Sequence, residues 1–128
     1  TTDDLVRFGL AHFDDRLVTK EMRQLLWTEQ ETTAGTGTGY GIGWRIVVDE
    51  TGLTWLGHGG GSIGGTTQFW LFPDSRLVIA AVGNLTDLDY SDLIPQLRAA
   101  FVESLGQAPH GACRTPEPAL ESTRPRPN

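Results

Sequence analysis

Gly57-His58-Gly59-Gly60-Gly61-Ser62-Ile63-Gly64-Gly65, running directly into Thr66-Thr67-Gln68-Phe69-Trp70-Leu71-Phe72, is the stretch on which the reading of this chain turns. The first half fits several glycine patterns at once. Gly59-x-Gly61-x-x-Gly64 has the spacing of a dinucleotide fingerprint, whose glycines let a pyrophosphate approach the N-terminus of a helix. Residues 66–72 are instead rich in β-branched and aromatic side chains, a strand pattern, so the helix dipole that would hold the phosphates is absent. Gly60-Gly61-Ser62-Ile63-Gly64 also fits the Gly-x-Ser-x-Gly nucleophile elbow, and His58-Gly59-Gly60-Gly61 an oxyanion loop. An elbow needs a helix after it, and enzymes that use both motifs keep them far apart in sequence. The downstream acids and base for such a triad would be Asp74, Asp87, Asp89, Asp92 and His110.

Outward from this stretch, four strand-like runs cover residues 43–49, 53–58, 66–72 and 76–82. Glu50-Thr51-Gly52 and Pro73-Asp74-Ser75 are too short for crossover helices, so the strands they join are antiparallel. Towards the N-terminus, Thr32 to Gly43 is too glycine-rich for a helix. Before it, Thr1 and Asp4 have capping-box spacing and open a helix over residues 3–13 with Leu5, Phe8 and His12 or Val6, Leu10 and Phe13 at helical intervals. Thr19 caps a second helix that ends near Trp27, with Met22, Leu25 and Leu26 on its apolar face. Towards the C-terminus, Ser91 caps a third, striped with Ile94, Leu97, Phe101, Val102 and Leu105, with Pro95 in its first turn and Gly106 as its stop. The expected fold class is α+β, an antiparallel sheet flanked by helices. Residues 107–128 hold five prolines and few apolar side chains and are expected to form a disordered tail.

The chain has 128 residues, enough for one small domain without disulfides or a structural metal. Its single cysteine, Cys113, excludes an internal disulfide and a multi-cysteine zinc site. A balance of 10 basic against 16 acidic side chains, net −6, has the wrong sign for a nucleic-acid partner. No apolar run approaches the roughly 18 residues of a membrane span. The sequence starts at Thr1 without an initiator Met, so a leader upstream and the compartment stay open. His12 and His110 have no ligand spacing to each other or to His58, so neither a metal nor a cofactor is expected. Trp44, Trp55, Phe69 and Trp70 read mainly as packing residues.

A larger pattern carries more of the sequence. Tyr40-Gly-Ile-Gly-Trp44, a hairpin, Gly57-His58-Gly59-Gly60-Gly61, an aromatic strand, Pro73-Asp74-Ser75-Arg76-Leu77 and a hydrophobic strand closed by Gly83-Asn84 together resemble the C-terminal portion of the serine β-lactamase-like family. That family includes class C β-lactamases, DD-peptidases of the penicillin-binding-protein type and related esterases. The resemblance runs from about Asp3 to Leu105 and includes the Asp4-Leu5-x-x-Phe8 helix. It implies a partial β-lactamase/transpeptidase-like domain over residues 1–106.

By the same resemblance, His58-Gly59-Gly60 stands at the family's third motif, Lys-Thr/Ser-Gly or its His variants, on a strand that walls the active-site cleft. His58 would orient the substrate, Gly59 and Gly60 would let it approach, and the Gly61 amide would be one of two oxyanion-hole donors. Tyr40 and Asn84 would contact substrate, although an Asn at a strand end is also an ordinary turn residue. The family's nucleophile is the serine of Ser-x-x-Lys. The only lysine here is Lys20, with Leu17 three residues before it, and Tyr90-Ser91-Asp92 resembles the family's tyrosine motif only in the wrong order. Gly59 also lacks the hydroxyl with which relatives hold a substrate carboxylate. The chain therefore reads as the C-terminal segment of a serine hydrolase acting on small-molecule or peptide substrates, dependent on an upstream segment carrying Ser-x-x-Lys. The alternatives are a non-catalytic interaction module of the same fold and an α/β-hydrolase-type esterase with Ser62 as nucleophile.

Overall fold

A computed structural model of the protein describes residues 1–86, 88–90 and 92–107. The chain runs α1 (Thr2–Phe13), α2 (Lys20–Leu26), β1 (Arg45–Val48), β2 (Thr54–Ser62), β3 (Gly65–Phe72), β4 (Leu77–Gly83) and α3 (Leu93–Gln107). The strands form one antiparallel sheet in the order β1-β2-β3-β4. This is the α+β architecture expected from the short connections.

The helix starts follow their local chemistry. Thr1 Oγ1 accepts the Asp4 N–H at 3.3 Å, and the Asp4 side chain returns to the Thr1 backbone nitrogen, completing the capping box. Thr19 Oγ1 accepts the Met22 N–H at 3.3 Å at the start of α2. Ser91, the expected cap of α3, lies outside the described residues, as do Asp87 and residues 108–128, with His110, Cys113 and the proline-rich tail.

Two expectations need correction. The strand read as ending at His58 continues to Ser62, so the glycine run is itself strand: Gly57 to Ser62 pair residue by residue with Trp70 to Gly65. Glycine has little intrinsic preference for a strand, and the tertiary pairing with β3 overrides it. Gly106 does not stop α3, which includes it and ends at Gln107. That helix also covers less of the sheet than its stripe suggested. Ile94 is buried, whereas Leu97 and Phe101 are 43% and 49% exposed. With Val6, Leu77 and Ile79 they surround an open cavity of about 280 Å³ at the β4 edge.

Strand alternation sorts the interior into two cores. On the α1 face, Trp44, Leu56, Leu71 and Val78 are buried, with Val6, Phe13, Leu26 and Phe69 packed against them. On the α3 face, Trp70, Phe72, Tyr90 and Ile94 are buried, with Trp55, Leu53 and Ile79 around them. At Gly57, an added Cβ would strike the Phe69 carbonyl oxygen and come within 2.9 Å of Trp70 Cα, so β3 tolerates no side chain there. At the far end of the ladder, Ile63 and Gly64 make a two-residue turn in which Gly64 takes φ +80°, the left-handed backbone that the second central position of a type II turn requires. Thr86 Oγ1 accepts the Gly64 N–H at 2.9 Å, and Thr66 Oγ1 donates to the Leu85 carbonyl at 2.7 Å, pinning this turn to the segment after β4.

Asp49 organises the β1–β2 turn. Its Oδ1 accepts the Thr51 N–H at 2.9 Å, the Thr51 hydroxyl at 2.6 Å and the Leu53 N–H at 3.0 Å. These bonds, the Thr51 hydroxyl first, hold its carboxyl below the usual carboxylate range. The resulting stability is present above the ordinary carboxylate range and is lost as pH falls through the lowered value. Thermal melts between pH 7 and pH 3 should show Asp49→Ala less stable than the parent near neutrality, with the two curves converging in acid. In the α3-face core, Phe72 is fully buried, 5.4 Å from the Trp55 ring centre and beneath the Arg98 guanidinium. Phe72→Ala should cost about 3–5 kcal/mol in urea unfolding.

Candidate active site

β1 stops opposite Gly57, since Arg45 and Gly57 are its last paired residues on that side, while β2 runs on to Ser62. Residues 58–62 therefore carry no strand on their outer side among the described residues. The Asp49 N–H bonds the Leu53 carbonyl at 3.0 Å, which fixes the phase of the ladder. By antiparallel alternation the main-chain groups of Gly57 face β1, and those of Gly59 and Gly61 face the same way, onto the side that β1 has vacated.

Gly57, Gly59 and Gly61 also share the α3 face of the sheet, so β2 contributes no side chain there. The result is a trough with a floor of bare backbone. It opens into a cleft of about 390 Å³ lined by Tyr40, Arg45, His58, the glycines 59–61, Thr66, Gln68 and Trp70. Four of the sequence candidates, His58, Gly59, Gly60 and Gly61, meet here by being consecutive on one strand edge. Tyr40 joins them from the preceding loop, its ring centre 6.0 Å from that of His58. That loop is held by main-chain bonds from Ile46 N to Gly39 O at 2.7 Å and from Gly41 N to Trp44 O at 2.8 Å, and by the Glu29 carboxylate, which accepts the Gly39 N–H at 2.6 Å. Asn84 is not brought in. It follows β4, exposed, and does not line the cleft.

His58 is exposed, and its Nδ1 lies 2.6 Å from the Gly59 carbonyl oxygen. A carbonyl only accepts, so Nδ1 carries a proton and donates; in the neutral imidazole Nε2 is then the acceptor nitrogen. His12, by contrast, is buried, with Nδ1 2.9 Å from the Phe8 carbonyl and its ring edge-on to Trp44, a packing arrangement. Among the described residues no group of three or more His, Cys, Asp or Glu could hold a metal ion, and no helix is long and apolar enough to cross a membrane.

Ser62 ends β2 and is followed by the Ile63–Gly64 turn into β3. The chain around it makes a strand-to-strand turn, not the strand-to-helix bend of an elbow. The same geometry leaves the dinucleotide fingerprint without a helix.

Four cleft residues, Arg45, Thr66, Gln68 and Trp70, were not among the site residues read from the sequence. Gln68 stands opposite Gly59, and its side-chain atoms occupy the space above it: a Cβ on Gly59 would meet Gln68 Nε2 at 2.6 Å and Oε1 at 2.8 Å. Trp70 Nε1 donates to Gln68 Oε1 at 2.7 Å. Arg45 stands on the other bank of the trough, exposed and without an ion-pair partner among the described residues. The available signal was alternation: Arg45, Gln68 and Trp70 fall on the glycines' face once the register is known.

Comparison with known proteins agrees with this architecture. A D-stereospecific amidohydrolase from Streptomyces sp. matches with a TM-score of 0.53 and 25% sequence identity, over 66% of this chain and 25% of that one. The present chain thus spans about a quarter of the length of that relative. No curated protein matches the sequence. A profile of the Beta-lactamase family matches residues 1–102, which contain the glycine edge, the whole sheet and all but the last turn of α3. The antiparallel sheet, its helices and that match agree on a serine hydrolase-type fold, and the chain belongs to the beta-lactamase family.

Proposed function

We propose that this chain forms one wall of the acyl-transfer site of a serine hydrolase, acting on amide or ester bonds, and that the nucleophile comes from a segment outside these 128 residues. The observation that carries the proposal is the character of the β2 edge. At Gly60 an added Cβ would meet nothing nearer than Thr67 Oγ1 at 3.7 Å, and at Gly61 nothing nearer than the Gly65 carbonyl at 3.9 Å. Both are ordinary contact distances, and neither glycine has a positive φ. The packing of this chain does not require glycine at either position. A backbone kept bare for an approaching acyl group does require it.

In this reading the substrate lies along the open edge of β2. The Gly61 N–H donates to the oxygen that becomes negative when the carbonyl carbon turns tetrahedral, and a fixed amide needs no reorganisation to do so. His58, held by its bond to the Gly59 carbonyl, orients the substrate through Nε2. Tyr40 closes the cleft above it. The Streptomyces neighbour is named for amide hydrolysis, which favours an amide among the possible acyl substrates. Ser-x-x-Lys does not occur in these residues, so the attacking serine and its activating lysine belong to the partner segment.

The isolated chain should take no fluorophosphonate or penicillin adduct in intact-mass analysis, because an unactivated serine hydroxyl is a poor nucleophile. An adduct mapped to Ser62 would move the active site to the turn and overturn the proposal. When a segment carrying Ser-x-x-Lys is joined to the chain or added in trans, amide or ester hydrolysis should appear. Gly61→Pro should then lower kcat by about 10²- to 10³-fold through loss of one oxyanion donor. Gly61→Ala, which keeps the N–H, controls for strain, and circular dichroism checks that both variants fold. Equal rates for the proline and alanine variants would rule out the amide's role.

A further inference from the structure

We propose that β4 pairs edge to edge with β4 of a second copy of this chain, joining the two sheets into one across a two-fold axis at Ala80. The association would hold whether or not the chain serves a hydrolase.

The two edges of the sheet are unlike. β1 has four residues, and its outer side is already engaged by the preceding loop, through the Ile46 N–H bond to the Gly39 carbonyl and the bridge between Tyr40 and Arg45. β4 has seven residues, Leu77-Val78-Ile79-Ala80-Ala81-Val82-Gly83, and no strand lies outside it among the described residues. The bond from Asp49 to Leu53 sets the phase of the sheet. Carried through the registers, it turns the main-chain groups of Leu77, Ile79, Ala81 and Gly83 towards β3 and those of Val78, Ala80 and Val82 outward. Strand edges open to water are usually guarded by a charge, a proline or a bulge, and β4 has none of these.

The sequence of β4 suits a second copy of itself. With Ala80 opposite Ala80 of the other copy, every outward-facing residue finds a partner, Val78 meeting Val82 of the other copy and the reverse. On the α3 face the same register sets Ile79 against Ala81 and Leu77 against Gly83, large against small, and symmetry repeats the match. The helices leave room for this. Gly9 of α1 packs over Phe69 of β3 as well as over Val78 of β4, so the helix sits inward of the edge. The half-exposed Leu97 and Phe101 of α3 border the open cavity of about 280 Å³ beside Leu77 and Ile79. A second cavity, of about 670 Å³, lies at the Val82 end beside Asp4, Leu5 and Phe8. The charges at the two ends also match. α1 opens with Asp3 and Asp4 at the Val82 end, while Arg76, its side chain 61% exposed, precedes Leu77 at the other end. Antiparallel pairing brings Arg76 of each copy towards the acidic start of α1 in the other. Pairing β4 with β1 of a neighbour would be head-to-tail and leave free edges, whereas β4 on β4 closes at two chains.

Sedimentation velocity over a concentration series should show a monomer–dimer equilibrium and nothing larger. In a mixture of isotope-labelled and unlabelled chains, isotope-filtered NMR should detect a contact between the Hα atoms of Ile79 and Ala81 on different copies, which face each other in this register. Exchange of the Val78, Ala80 and Val82 amides should slow as concentration rises. Val82→Lys puts a charge into the junction twice and should weaken dimerisation by about tenfold or more. Ala80→Pro removes the outward N–H at the axis and should do the same, with circular dichroism checking that both variants fold. A chain that stays monomeric, assemblies that grow past the dimer, the absence of the intermolecular contact, or unchanged association of both folded variants would overturn the proposal. So would a monomer whose β4 amides become protected only when the Ser-x-x-Lys segment is added, since that segment would then be the occupant of the edge.

Discussion

Everything in this molecule hangs on the ladder between β2 and β3. From Leu56 to Ser62 the first of these strands has one large apolar side chain, one imidazole and four glycines, so it can bury almost nothing of its own. Its place is secured by main-chain hydrogen bonds to a neighbour that supplies the bulk. Phe69 and Leu71 project to one side, Trp70 and Phe72 to the other, and the two cores are built around them. The glycine-rich half of β2, which adds no large side chain to either core, is thus held by the strand that adds most. A bare backbone edge can be kept in register without side chains of its own because the adjacent strand is over-determined.

The helices are less evenly engaged. α1 lies on one face through Val6 and Phe13, and its C-terminal end is tied to the β3–β4 turn by Arg76, which pairs with Asp14 and stacks over Phe13. α3 anchors on the other face through Ile94 alone among its stripe residues, with Tyr90 packed beside it from just before the helix. Phe8 and Leu10 on α1, Leu97, Phe101 and Leu105 on α3 and Val82 on β4 are left substantially exposed, a greater apolar exposure than single scattered surface residues would give.

How much of this was legible in the sequence depended on whether the signal was local. The caps at Thr1 and Thr19, the short turns at 50–52 and 73–75 and the β-branched strands announce themselves within a few residues, and each stands close to where it was read. The glycine run did not, because its strand character lies entirely in β3, and Gly106 misled because a residue that usually ends helices is tolerated inside one at a modest cost. The site divides in the same way. His58 and the glycines were found as a contiguous motif, Tyr40 through the order of segments, whereas Arg45 lies 13 residues before His58 and Gln68 10 after it, and both are united with the motif only by register. No spacing rule joins residues on three strands before the phase of each strand is known.

The hydrogen bond from Trp70 to Gln68 has a consequence beyond this chain's own cleft. Because the indole fixes the amide and the amide fills the volume above Gly59, positions 59, 68 and 70 are not free to vary independently. A Cβ at 59 would displace the far end of the Gln68 side chain and cost its bond to the Trp70 indole, so a substitution at 59 is felt at 68 and 70. Positions 59, 68 and 70 should therefore covary among relatives.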